Sequence, residues 1–168
     1  MLFVEVWACF GGYGGRAEMM LPMFDGLVET THFDHEMAEL ADRHYSRRTI
    51  GARQFLYSGR KLVLRNAEGT ILFGWMYPDP TMRMDGQDGY NCAIFRNESK
   101  RLASEIIIEA EGFCFRKWGH GRCYTYIDPD KVRGRPPGNC FYHAGYKFVH
   151  ETKGGKHLLA KPYIGEVS

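Results

Sequence analysis

Hydrophobic and polar residues follow two different periods along the chain from residue 26 onwards. Short segments in which apolar positions alternate with polar ones predict strands, and apolar positions that recur every three or four residues predict helices. Strands are predicted over 26–31, 61–65, 70–77, 90–95, 122–127, 146–151 and 157–161. Helices are predicted over 34–45, 99–118 and 139–144.

Each of the two longer helices is predicted to bury one apolar stripe. Asp34 is the expected N-cap of the first helix, because its side chain can accept a backbone N–H of the first turn. Gly119 to Gly121 are expected to end the long helix. The expected buried side chains are Phe33, Met37, Leu40, Ala41 and His44 in the first helix, and Leu102, Ile106, Ala110, Phe113 and Trp118 in the second.

The order of these elements predicts an α/β (α+β) fold. Strands interspersed with helices favour a mixed central sheet, here with a long crossover helix and a C-terminal hairpin. In such a sheet a ligand is expected at the carboxyl end of the 90–95 strand, where the crossover begins. Residues 1–25 contain the glycine-rich stretch FGGYGGR and are interpreted as an N-terminal extension, and 26–168 as one domain.

Composition narrows the class of protein further. The chain has 168 residues and a net charge of +2, which fits a single globular domain. We expect no membrane partner, because no apolar run approaches the length of a membrane span, and no secretory signal, because the apolar start lacks a basic head. The five cysteines have wide, irregular spacing, typical of free thiols. These features together favour a cytoplasmic protein.

Basic residues are concentrated in one part of the chain. Between residues 43 and 65 there are seven Lys or Arg residues and no acid. Arginine binds phosphates in a two-point manner and interleaved aromatics offer stacking surfaces, so this run favours DNA over an ordinary solvated face. A second basic arm is predicted in the loop before the short helix. The expected DNA contacts are Arg47, Arg48, Arg53 and Tyr57 in the run, and Lys131, Arg133 and Arg135 in the loop.

Three residues combine into a candidate chemical centre. Asp128 directly follows the strand 122–127, and His44 and Tyr45 lie near the end of the first predicted helix. A carboxylate, an imidazole and a phenol suit an iron ion, and equally an acid–base relay. The remaining alternative is a core histidine beside a turn-capping aspartate.

The start of the long helix is a candidate anion site. Its residues are basic and polar, and a helix N-terminus favours negative charge. The alternative is that Ser99 only caps the helix. The candidate cofactor-binding residues are Arg96, Asn97, Ser99 and Arg101.

The order of elements over residues 26–162 resembles the GNAT acyltransferases. The segment CFYHAGY at 140–146 is similar to the short helix of that family, in which a tyrosine protonates the leaving thiolate. The resemblance therefore implies acyl transfer, with Tyr142 as a candidate acid. It also implies acetyl-CoA as a possible acyl donor, although 96–104 lacks the glycines of the family's pyrophosphate-binding loop.

A narrower resemblance is to the Mom-type DNA modification proteins of bacteriophages. The matching segments are HYS at 44–46, FRNES at 95–99, SE at 104–105 and IDP at 127–129. This resemblance implies an acyl-type transfer to a base amine in DNA, with adenine N6 as the target. It implies Tyr45, Asp128 and Ser104 as further catalytic residues, and iron held by His44, Tyr45 and Asp128.

These observations support one first hypothesis and two alternatives. The first is a DNA-modification enzyme of phage or prophage origin. The second is an acetyl-CoA-dependent N-acetyltransferase that acts on a small amine, a protein or an aminated base. The third is a non-catalytic DNA-binding protein of the same fold. The acyl donor and the oligomeric state stay open, with a homodimer among the options.

Overall fold

A computed structural model of the protein describes residues 26–79, 81 and 85–163, so the predicted extension over 1–25 lies outside the described residues. The described chain forms one mixed sheet with helices beside it. The strands are β1 (Val28–Thr30), β2 (Arg60–Arg65), β3 (Ile71–Tyr77), β4 (Tyr90–Asn97), β5 (Cys123–Ile127), β6 (Lys147–Glu151) and β7 (His157–Lys161). The helices are α1 (His35–Asp42), α2 (Ala103–Trp118) and α3 (Asn139–His143).

The sheet has the strand order β1-β2-β3-β4-β5-β7-β6, and its one parallel pair is β4 with β5. Helix α2 makes the crossover between these two strands, as a parallel connection requires. The mixed sheet, the crossover helix and the C-terminal hairpin confirm the predicted fold class.

Strands β4 and β5 diverge along their length. They pair at residues 90–92 of β4, and β4 then continues to Asn97 beside β3. On the β3 side Gly74 pairs with Ile94 and Trp75 pairs with Cys92, which leaves Ala93 as an extra residue. Such a bulge bends a strand and increases its twist. The bend separates β4 from β5 at their carboxyl ends and opens a gap in the sheet.

The two longer helices pack on opposite faces of the sheet. Helix α1 buries Met37, Leu40 and Ala41 against one face. Helix α2 covers the other face, where the indole N–H of Trp75 donates to the carbonyl of Ala110 at 3.0 Å. Helix α2 is the longest described helix, with 16 residues, and within the described chain no helix is both long and apolar enough to cross a membrane.

The element order follows the sequence prediction, and the main differences are at helix ends. Asp34 caps α1 as predicted, since its carboxylate accepts the N–H of Met37 at 3.2 Å. The helix ends at Asp42, so His44 lies beyond it, and Phe33 precedes the cap and is exposed. The prediction that Phe33 and His44 belong to the buried face of this helix is therefore wrong. The helical spacing of the sequence pattern extends beyond both ends of the helix that forms.

Helix α2 also begins later than predicted. It starts at Ala103, with Leu102 as an exposed N-cap residue. The side chain of Asn97 binds the next turn instead, donating to the carbonyl of Arg101 and accepting from Ser99. Leu102 therefore does not belong to the buried stripe that the sequence pattern predicted.

Candidate active-site cleft

The gap between β4 and β5 forms a cleft of about 450 Å³. One wall is the diverging part of β4, and the other is the end of β5 together with the start of α3. The segment that follows α1 lies across its opening and contributes His44, Tyr45 and Ser46. The cleft lies at the carboxyl end of β4, which is where the sequence predicted a ligand.

Two side chains hold the segment after α1 in place. The carboxylate of Asp42 accepts the Nε–H of Arg47 at 2.6 Å and the backbone N–H of Gly51 at 2.8 Å. Arg47 also donates to the carbonyls of Gln54 and Ala52. These bonds fold residues 43–54 into a compact loop after α1, and the loop delivers the HYS sequence to the cleft.

The imidazole of His44 is fixed on both sides. Its Nδ1 accepts the backbone N–H of Ser46 at 3.2 Å and lies 2.7 Å from the hydroxyl oxygen of the same serine. Its other nitrogen must therefore carry the proton, and the backbone of Phe95 on β4 supplies the hydrogen-bond partner. Burial, together with the nearby charge of Arg96, lowers the pKa of His44 to about 4, so the ring is neutral at pH 7.

Tyr45 connects the same segment to the end of β5. Its ring stacks on His44 with centroids 4.4 Å apart, and its hydroxyl forms a hydrogen bond with the backbone of Asp128. Burial raises the pKa of Tyr45, and the Asp128 backbone bond opposes that rise. The phenol is therefore protonated at neutral pH, with one backbone donor placed to stabilise its anion.

The carboxylate of Asp128 is bound within its own turn. It accepts the backbone N–H of Asp130 at 3.2 Å, and Lys131 places its ammonium 3.3 Å away. This is the turn-capping role that the sequence left as an alternative. Asp128 still lines the cleft, and its backbone meets Tyr45 there.

The predicted iron site does not fit this arrangement. Both nitrogens of His44 have partners in the chain, the Tyr45 hydroxyl binds a backbone group, and the Asp128 carboxylate is bound in its turn. Across residues 26–79, 81 and 85–163 there is also no group of three His, Cys, Asp or Glu side chains that could hold a metal ion. Iron is therefore implied only by the resemblance to the Mom-type proteins, and the geometry of the cleft does not support it.

The four residues predicted for anion binding are engaged with one another or with nearby acids. Asn97, Ser99 and Arg101 close one turn, in which Ser99 donates its hydroxyl to the Asn97 side chain at 2.7 Å. The guanidinium of Arg101 pairs with Glu109, and that of Arg96 donates to Glu98 and to the carbonyl of Arg43. These bonds build the start of α2, and binding of a cofactor there remains a prediction.

Two predicted catalytic residues lie outside the cleft lining. Tyr142 on α3 packs against the main hydrophobic core, and its neighbours Cys140 and Phe141 line the cleft instead. Ser104 lies in the first turn of α2 and is absent from the lining. The structure therefore brings His44, Tyr45 and Asp128 together and places Tyr142 and Ser104 away from them.

The predicted DNA contacts divide into one internal residue and an exposed set. The side chain of Arg47 is 7% exposed, and its N–H groups donate hydrogen bonds to Asp42 and to carbonyls of the loop after α1. Arg133 and Tyr57 line the cleft, which they share with Lys156, a residue that the sequence analysis did not single out. Its position in a Gly-Gly hairpin turn gave no reason to expect it there. The exposed members of the predicted set are Arg48, Arg53, Tyr57, Lys131, Arg133 and Arg135.

Two polar residues of the cleft were also missed by sequence reasoning. Ser46 belongs to the HYS segment, so its pairing with His44 has a signal in the sequence. Asn91 lies on β4, 8% exposed, and donates from Nδ2 to the Tyr57 hydroxyl at 3.0 Å, with no partner for Oδ1. A single polar residue in an apolar strand offers no such signal.

Comparison with solved structures identifies the fold. The aminoglycoside acetyltransferase AAC(6')-Ib, in complex with coenzyme A and kanamycin or with coenzyme A alone, superposes with a TM-score of 0.53 in each case. The likeness covers 82% of this chain and 94% of that one, at 15% sequence identity. The predicted GNAT-like fold is thereby confirmed. No protein-family model and no curated protein sequence matches the chain.

Proposed function

We propose that the protein is an acyltransferase of phage or prophage origin that modifies a base amine in DNA, with adenine N6 as the target. The GNAT-like fold and the cleft between β4 and β5 support the acyl-transfer part. The charge of the cleft supports the nucleic-acid part. The similarity of HYS and IDP to the Mom-type proteins connects the two.

The charge around the cleft is the observation that carries the choice of acceptor. Asp128 is the one acid among the described residues that line the cleft. The ammonium of Lys131 lies 3.3 Å from its carboxylate and neutralises its charge. Arg133 and Lys156 line the same cleft, so its local charge is positive. Positive potential attracts a polyanion and repels a cationic amine. A phosphate-bearing acceptor therefore suits this cleft better than a polycationic one.

The gap in the sheet supplies a place for the acyl donor. Beyond residue 92 the backbone of β4 turns away from β5, so its polar groups border the cleft. A thioester donor lying there would have its carbonyl near Tyr45 and Ser46, which line the same cleft. Coenzyme A is bound by the neighbour of the same fold, and acetyl-CoA is the first donor to test.

The proposed reaction is attack of the base amine on the thioester carbonyl. The nitrogen–carbon bond forms and the carbon–sulfur bond breaks, while the Tyr45 hydroxyl gives its proton to the leaving thiolate and takes up the proton that the amine loses. The Asp128 backbone is placed to stabilise the phenolate left behind. An exocyclic amine is poorly accessible inside a duplex, so the target base must be flipped out or presented on an opened strand.

Mass spectrometry of nucleosides tests the proposal. DNA from cells that express the chain is digested and compared with DNA from cells expressing Tyr45→Phe. We expect a modified deoxyadenosine in the first sample and its loss in the second. An unchanged nucleoside profile, together with salt-dependent DNA binding, would favour the non-catalytic DNA-binding alternative.

A second candidate is an acetyl-CoA-dependent N-acetyltransferase that acts on a small amine, a protein or an aminated base. The observation in its favour is the shared fold with an aminoglycoside acetyltransferase. Calorimetry with acetyl-CoA, followed by acetylation assays on an amine panel and on DNA, separates the two. Acetylation of free amines with no product on DNA would make this candidate the better one.

A further inference from the structure

The cleft contains a serine and a histidine in hydrogen-bond contact, and neither the sequence motifs nor the fold assigns a role to the serine. We propose that Ser46 is a nucleophile that carries the acyl group transiently on its hydroxyl oxygen, with His44 as its base. This inference rests on the acyl-transfer part of the proposed function and is independent of the identity of the acceptor.

The geometry has the three parts of an activated serine. The Ser46 hydroxyl oxygen lies 2.7 Å from His44 Nδ1, within reach for proton transfer. The backbone N–H of Ser46 points at the same nitrogen from 3.2 Å, so Nδ1 carries the lone pair rather than the proton. The backbone of Phe95 holds the opposite nitrogen of the ring. The nucleophile, the base and the group that orients the base are therefore hydrogen-bonded one after the other.

The serine is also accessible to a donor. Ser46 is exposed, and it lines the cleft beside Tyr45 and the diverging part of β4. Tyr45 stacks on the imidazole at 4.4 Å and limits its rotation. A buried serine bonded to a histidine would be a packing feature, whereas this one borders the space in which a thioester would lie.

A local turn contact is the simpler explanation for a bond between residues two positions apart. A turn of this kind needs only a hydrogen bond from the backbone N–H of Ser46 to the imidazole. Here the ring also bonds with the backbone of Phe95 on β4, 51 positions later in the chain, and the same ring lines the cleft. The long-range bond aligns the base, which a turn alone does not require.

The acyl group passes to the acceptor in two steps, through an ester on Ser46. The Ser46 oxygen attacks the thioester carbonyl carbon, the O–C bond forms, and the C–S bond breaks. The serine proton passes to His44 Nδ1 and from there, directly or by way of the Tyr45 hydroxyl, to the leaving sulfur, which departs as the thiol. In the second step the acceptor amine attacks the serine ester, the C–O bond breaks, and the amine proton returns through His44 to the Ser46 oxygen.

Reaction with p-nitrophenyl acetate tests the nucleophile without DNA or coenzyme A. We expect a burst of nitrophenolate and one acetyl group on Ser46, located by peptide mapping of the full-length protein. Ser46→Ala should lose the burst and the adduct. Ser58→Ala, an exposed serine in the same stretch of chain, is the matched control and should retain both. His44→Ala should slow acetylation by about 10²- to 10⁴-fold, the usual contribution of a general base.

The outcomes separate this inference from the proposed function. An adduct on Ser46 without any nucleoside product would support the nucleophile and overturn DNA as the acceptor. Full nucleoside modification by Ser46→Ala would overturn the nucleophile and leave direct attack by the amine. Absence of an adduct on wild type, or an adduct on another residue, would also overturn it. Circular dichroism of each variant shows that a loss is not caused by unfolding.

Discussion

Arg43 and Glu98 form a two-point ion pair that joins the loop after α1 to the loop after β4. Nε of Arg43 donates to one carboxylate oxygen and Nη2 to the other, both at 2.9 Å. Arg96 donates to the same carboxylate at 2.7 Å. Arg43 of the basic run and Arg96 of β4 thereby bind the same acid, and together they hold the HYS segment beside β4.

The first prediction concerns pH and this ion pair. The two arginines lower the pKa of Glu98 to about 2, so its stabilising effect is complete above the ordinary value of 4.5 and is lost as pH falls toward 2. We expect Glu98→Gln to lower the unfolding free energy by about 1 kcal/mol at pH 7, because the pair is partly exposed. Urea unfolding at pH 7 and pH 3 measures this.

The control for that experiment is Glu39→Gln, an exposed carboxylate whose described ion-pair partner is His35. It should change stability by less than about 0.5 kcal/mol at either pH. A Glu98 variant as stable as wild type at pH 7 would show that the pair is broken in solution. The difference between wild type and Glu98→Gln must shrink on acidification if the lowered pKa is correct.

The second prediction separates Arg47 from Arg48. Arg47→Ala removes a nearly buried guanidinium, so the carbonyls of Ala52 and Gln54 lose its N–H groups and the Asp42 carboxylate keeps only the Gly51 N–H. We expect a loss of about 1 to 2 kcal/mol in unfolding free energy, because several hydrogen bonds of a nearly buried donor are lost while Asp42 itself stays partly exposed. Arg48→Ala, at an exposed neighbour, should cost less than about 0.5 kcal/mol. Equal stabilities in denaturant unfolding would contradict the structural role of Arg47.

The third prediction concerns DNA binding. If Arg48 and Arg53 each neutralise one phosphate, the double alanine variant should flatten the slope of log K against log salt by about 1.8 on B-DNA. The loss should be equal across sequences, because phosphate contacts do not read bases. The control is the double variant Arg116→Ala and Lys117→Ala, at the end of α2 on the other face of the sheet. An unchanged slope in the first variant would make the basic run an ordinary solvated surface.

The fourth prediction assigns chemistry to Tyr45. Tyr45→Phe keeps the ring and its stacking on His44 and removes the proton donor. We expect nucleoside modification to fall by about 10²- to 10⁴-fold while DNA affinity and melting temperature stay near wild type. Tyr163→Phe, at an exposed position, is the control. Equal activity in Tyr45→Phe and wild type would remove Tyr45 from the proton transfer.

The fifth prediction concerns iron. Because both His44 nitrogens are bonded within the chain, we expect purified protein to carry no stoichiometric iron. His44→Ala should leave the metal content unchanged. Metal analysis of both proteins is the measurement. Stoichiometric iron in wild type that is lost in His44→Ala would show that the cleft rearranges around a metal.

The sequence by itself determined the order of elements and the fold class. Alternating apolar positions and glycine-marked turns placed the strands within a few residues, since burial on a sheet face imposes a period of two. Asp34 was predictable as a cap because its carboxylate acts on a neighbour three positions away. The proximity of His44, Tyr45 and Asp128 was anticipated from short motifs and their order, and the structure brings them to one cleft.

Only the tertiary structure decided what the polar side chains bind. Arg43, Arg47 and Arg65 read as free cations in the sequence. Arg47 pairs with Asp42 at the start of its own loop, whereas Arg43 and Arg65 pair with Glu98 and Asp34, which lie 55 and 31 positions away. The end of α1 depends on the same contacts, since Asp42 is held by residues that follow it in the loop. The position of the cleft depends on a single extra residue in β4. Hydrophobic periodicity records burial, whereas charge partners and strand divergence arise from contacts between distant segments, which periodicity does not encode.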